Sequence, residues 1–127
     1  MCVHTRRTDF ATYNITTEFN ETIEAAGILA KQNNLKQFFI FGDDLGFMRR
    51  VAQQLQDRNR LEARVSTFSE FEDFYLSSQI CGSFLISAAA STFGWWLAFF
   101  SANQSSVYYI GRQFTNGENV PETELYL

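Results

Sequence analysis

Apolar and polar positions change period along the chain, and each change marks an element. Met1 to Arg6 reads as a short strand. After a polar segment, Glu18 to Asn33 puts Phe19, Ile23, Ala26, Leu29 and Ala30 near one face of a helix that begins with carboxylates and stops at Asn33-Asn34. Gln37 to Phe41 is a continuous apolar run closed by Gly42-Asp43-Asp44, the pattern of a parallel strand buried on both faces. Asp43 or Asp44 can cap the helix that follows from about Leu45 to Arg58, with Phe47, Met48, Val51 and Leu55 as its apolar positions. Ala63 to Thr67 predicts a strand, Ser69 to Gln79 a helix capped by Ser69, Ser83 to Ser87 a strand, Thr92 to Phe100 a helix and Val107 to Ile110 a last strand. The tail from Thr115 to Leu127 is polar and is expected to dock loosely. Strands alternating with helices at this spacing predict an α/β fold, a mostly parallel sheet between helical layers. The loops after the strands would then form a ligand crevice.

Composition narrows the picture. In 127 residues, 46% hydrophobic and 19% charged content with a single Pro excludes a disordered or Pro-rich chain, and the length suffices for a real core. Net charge of −4 argues against a nucleic-acid partner, so an anion site must come from a few placed residues. Ile80 to Phe100 would register as apolar enough to cross a membrane, but Gly82, Ser83, Ser87, Ser91, Thr92 and Gly94 interrupt it, and strand, turn and helix is the better reading. Cys2 and Cys81 lack the spacing of a zinc or redox motif and are expected to be inert or buried thiols. Asn14, Asn20 and Asn103 each open a glycosylation sequon, as in a lumenal or extracellular chain.

Candidate chemistry gathers at predicted strand ends. Arg6-Arg7 could fork across phosphate oxygens, or pair on the surface with Asp9. The single histidine, His4, reads either as a packing residue or as a base. Ser91-Thr92 before an apolar helix is an N-cap or, with free backbone amides, an anion contact. Asp43-Asp44 could meet a ribose hydroxyl or a metal, or cap their helix. Trp95-Trp96 could stack on a base or sugar, although beside Leu97, Phe99 and Phe100 a core role is expected. No Gly-rich phosphate loop, nucleophile elbow or metal motif is present.

Three stretches also carry a resemblance. His4-Thr5-Arg6-Arg7-Thr8-Asp9-Phe10 resembles the His-x-Arg-Arg-x-Asp motif of fucosyltransferases forming α-1,2 and α-1,6 linkages and of protein O-fucosyltransferases. Phe39-Ile40-Phe41-Gly42-Asp43-Asp44 is similar to the Phe-Ser-x-Asp element of the α-1,2 branch, glycosyltransferase family 11. Ser91-Thr92-Phe93-Gly94-Trp95-Trp96-Leu97-Ala98 resembles that branch's Ser-Thr-Phe-Ser/Gly-Trp-Trp-x-Ala signature, with Ala90 where many relatives carry Asn. The resemblance implies that residues 1–127 are a single Rossmann-like domain, the C-terminal donor half of a GT-B glycosyltransferase, with the membrane anchor and acceptor domain of the family absent. It implies transfer of L-fucose from GDP-fucose to a galactose-containing glycan with inversion, without a metal or other cofactor, on the lumenal side of the Golgi membrane. Arg6 is then the catalytic residue at the diphosphate, with His4, Arg7, Asp9, Asp43, Asp44, Ser91, Thr92 and Phe93 at the donor. Two other readings stand beside it: a truncated homologue that binds nucleotide or a partner without catalysis, and an unrelated flavodoxin-like nucleotide-binding module.

Overall fold

The computed structural model describes residues 1–7, 17–88, 91–115 and 118–126, the backbone alone from 111 onward. Strand β1 spans Cys2–Thr5, β2 Gln37–Gly42, β3 Glu62–Val65, β4 Phe84–Ile86, β5 Val107–Thr115 and β6 Glu118–Tyr126. Between them lie α1 (Phe19–Gln32), α2 (Leu45–Asn59), α3 (Glu70–Ile80) and α4 (Thr92–Phe100). The six strands form one sheet in the order β3-β2-β1-β4-β5-β6, in which the first five are mutually parallel and β6 runs antiparallel. This is a Rossmann-like α/β fold.

The period-2 alternation of the strands builds the layers. Val3, Phe38, Ile40 and Leu85 face one way and pack with Ile23, Ala26 and Leu29 of α1 and Phe47, Val51 and Leu55 of α2. Cys2, Phe41, Phe84 and Ile86 belong to a second core, closed by Leu97 and Ala98 of α4. Central strands buried on both faces need the continuous apolar runs the sequence shows. The predicted caps also form: Asp44 accepts from Phe47 N at 3.0 Å and Ser69 from Glu72 N at 3.3 Å.

Ile80 to Phe100 does not cross a membrane as one rod, because it is divided among the end of α3, β4 and the nine-residue α4. No helix among the described residues is long and apolar enough to span a bilayer.

Three expectations are corrected. The tail is a strand: β6 pairs with β5 from Thr115↔Glu118 to Val107↔Tyr126. Polarity suits a strand on the sheet edge, where a Pro such as Pro121 is tolerated. Cys2 and Cys81 are not thiols but one disulfide, with Cα atoms 5.5 Å apart. Cys81 caps the C-terminus of α3 just before β4, which pairs with β1, so topology closes a gap of 79 residues. Trp96 is not core. Trp95 packs against the second core and Tyr109, whereas Trp96 is 54% exposed, stacks on Phe100 and meets Phe99 edge-on on the outer face of α4.

Candidate active site

The chain enters at β1, builds outward through β2 and β3, and then returns to place β4 on the other side of β1. Connections diverge at that reversal, and the carboxyl ends of the strands beside such a reversal are where open α/β sheets bind ligands. Arg6 and Arg7 follow β1, Asp43 and Asp44 follow β2, and Ser87 follows β4. The parallel register aligns Thr5 with Gly42 and His4 with both Phe41 and Ile86, so the three strands end together.

The two carboxylates after β2 divide their work. Asp44 serves α2 as its N-cap. Asp43 turns to the arginines: its Oδ1 accepts from the Arg7 backbone N–H at 2.9 Å, and its Oδ2 lies 3.4 Å from Arg6 Nε. Arg7 donates through Nη1 to the Thr17 carbonyl at 3.1 Å, and its guanidinium stacks over Phe47 with Cζ 4.8 Å from the ring centroid. Both arginines are half-buried, where a guanidinium keeps its charge and gains from a lower local dielectric.

On the other side of β1, Ser91 caps α4 by accepting from Gly94 N at 3.3 Å; Ser91 is buried, Phe93 half-buried and Thr92 exposed. His4 joins this side to the arginines. Its imidazole is wholly buried, meets the Phe93 ring edge-on at 5.7 Å, and lies beneath Gly94, where a Cβ would come within 2.6 Å of Nδ1. Glycine at 94 is thus what lets α4 approach β1. Among the described residues neither ring nitrogen has a hydrogen-bond partner. Burial pushes the His4 pKa down to about 3, with Asp43 pulling it up and Arg6 pushing it down, so the ring is neutral at physiological pH.

His4, Arg6, Arg7, Asp43, Asp44, Ser91, Thr92 and Phe93 therefore belong to one edge of the sheet, whereas Asp9 and Asn14 lie outside the described residues. Asn20 is exposed in the first turn of α1, and Asn103 is exposed with its Nδ2 donating to the Gly82 carbonyl at 3.1 Å. Two participants escape any sequence motif. Thr17 and Ser87, both buried, share a hydrogen bond of 2.7 Å across the ends of β1 and β4, and only the position of Ser87 directly after a strand hints at it.

A doubly wound sheet with cationic side chains at its switch point defines a Rossmann-like α/β protein, a class that binds ligands at the strand ends. The chain belongs to glycosyltransferase family 11, because the model of "Glycosyl transferase family 11" matches residues 1–126. It is 30% identical to the Caenorhabditis elegans protein named "Putative galactoside 2-alpha-L-fucosyltransferase svh-11", over 96% of this chain and 35% of that protein. It is 31% identical to a "Galactoside 2-alpha-L-fucosyltransferase" of the same organism, over 91% of this chain and 33% of that protein. The chain thus spans about a third of the length of these relatives. No solved structure matches it significantly.

Proposed function

We propose that this chain is a donor-binding unit of α-1,2-fucosyltransferase type, holding GDP-fucose in the crevice between the ends of β1 and β4. The observation that carries the reading is the pair Arg6-Arg7 at the end of the central strand, held by Asp43, in a family-11 sheet. Breaking the bond between sugar and GDP leaves negative charge on the diphosphate, and a fixed guanidinium stabilises that charge as it develops. Arg6 acts on the leaving group, Arg7 supports it, and the hydroxyl-capped start of α4 offers backbone N–H groups from the opposite wall. No metal is needed in this scheme, since the positive charge comes from the side chains. Inverting transfer of L-fucose to a galactose-containing glycan is proposed for a polypeptide that also carries an acceptor-binding part. Ser91 and Phe93 line the nucleotide side, with Thr92 at its rim and Asp44 closing α2 beside it.

The Cys2–Cys81 disulfide supports an oxidising compartment, and with the exposed Asn20 and Asn103 sequons it favours the lumenal side of the Golgi membrane. Calorimetric titration of GDP and GDP-fucose into the chain and into Arg6→Ala tests the proposal. Both nucleotides should bind the native chain, and Arg6→Ala should weaken them by roughly 10–100-fold, the worth of a charge-assisted pair. Arg6→Lys should fall between, since a point charge cannot fork across two oxygens. Absence of heat from the native chain with either nucleotide would overturn the reading.

A further inference from the structure

We infer that Thr17, coupled to Ser87, is the positioning residue that aims the arginine pair and so confers phosphate recognition; the inference rests on the donor-site reading. Thr17 lies 11 positions beyond Arg6, outside the His-x-Arg-Arg stretch, yet it holds that stretch at three points. The Arg6 backbone N–H donates to Thr17 Oγ1 at 2.8 Å, the Thr17 N–H donates to the Arg6 carbonyl at 3.0 Å, and Arg7 Nη1 donates to the Thr17 carbonyl at 3.1 Å. Ser87 continues the chain of bonds. Its Oγ donates to the His4 carbonyl at 2.6 Å and lies 2.7 Å from Thr17 Oγ1. Because each hydroxyl has one hydrogen and that of Ser87 goes to His4, the Thr17 hydroxyl donates to Ser87 and accepts from Arg6.

The result is a directed relay, Arg6 N–H to Thr17 to Ser87 to the His4 carbonyl, spanning the two strand ends at which the crevice opens. Both hydroxyls are buried, so neither bond competes with water and each removal leaves a desolvated partner unmade. The relay contacts the backbone before and at Arg6 and the side chain of Arg7. Its output is the direction of two guanidinium groups. That matters because bidentate recognition tolerates small angular error only.

The test compares GDP with guanosine on Thr17→Val, Thr17→Ser and Ser87→Ala, each first shown by far-UV circular dichroism to be folded at the titration temperature. Val keeps the shape of Thr without the hydroxyl, and Ser restores the hydroxyl. Thr17→Val should weaken GDP by roughly tenfold or more with guanosine unchanged, Ser87→Ala should do the same to a smaller extent, and Thr17→Ser should bind as the native chain does. Equal GDP affinity in Thr17→Val and the native chain would overturn the inference, as would a parallel loss of GDP and guanosine, which is the mark of a merely structural role. A native chain that binds neither probe would instead overturn the donor-site reading, and a native chain that binds both leaves that reading standing whatever the variants do.

Discussion

His4 shows how one buried side chain can govern behaviour in acid. The folded protein holds it neutral with a pKa near 3, whereas the unfolded chain takes up a proton near the ordinary 6.5. Between those values the unfolded state binds more protons, so stability is full above about pH 6.5 and falls as the pH drops toward 3. From pH 7 to 5 this group alone should cost about 2 kcal/mol. Urea denaturation at the two pH values should show the loss in the native chain and a flatter dependence in His4→Gln; parallel dependences would refute the assignment. Gly94 depends on the same ring. Alanine there gains about 1 kcal/mol in helix propensity but sets a methyl group against a buried imidazole, and overpacking of that kind costs about 1–3 kcal/mol. Gly94→Ala should therefore be destabilised on balance, and in a His4→Ala background the penalty should vanish, which a double-mutant cycle of denaturation free energies measures.

At the scale of elements, the boundary between β2 and α2 puts neighbouring carboxylates to different use. Asp44 closes a helix terminus, a task worth about 1 kcal/mol. Asp43 faces across to β1 and engages both arginines. Asp44→Ala should lower the unfolding free energy by about that amount and leave GDP affinity close to native. Asp43→Asn should do the reverse, weakening GDP by roughly tenfold with a smaller change in stability. Denaturation and calorimetry on the same two preparations check the pair, and equal effects of both variants on both readouts would contradict the division. The helices α3 and α4 present a different feature: Phe71, Tyr75, Trp96 and Phe99 remain exposed, more aromatic surface than scattered outward residues would give.

For the whole molecule, the Cys2–Cys81 disulfide ties the first strand to the end of α3 over 79 residues of chain. Closing so long a loop restricts the unfolded ensemble, and its removal should cost roughly 2–4 kcal/mol. The thermal midpoint should fall on adding reductant and in the Cys2→Ser/Cys81→Ser variant, with reductant having no further effect on the variant. A midpoint indifferent to reductant in the native chain would mean that the sulfurs are not joined. The same parallel pairing that brings the two cysteines together also aligns the ends of β1, β2 and β4, so covalent closure and crevice share one topological origin.

The element order was readable from periodicity because it is a local property: a face repeating every three or four residues, a capping Asp or Ser, an apolar run ended by Gly-Asp-Asp. Arg6, Arg7, Asp43 and Ser91 could be named as candidates for the same reason, since their types and their places beside predicted strand ends lie within a few residues of one another. The pairing of β6 with β5 was concealed by the polarity that an edge strand tolerates. What only the tertiary structure decided are contacts between segments remote in the chain. The return of β4 to the side of β1 joins Ser87 to the His4 carbonyl across 83 positions and pairs two cysteines that sequence alone leaves as separate thiols, while the pairing of β1 with β2 sets Asp43 against Arg7 across 36. Periodicity reports which face of an element is buried; it carries no information on which strand lies next to which, and the candidate site is built from that adjacency.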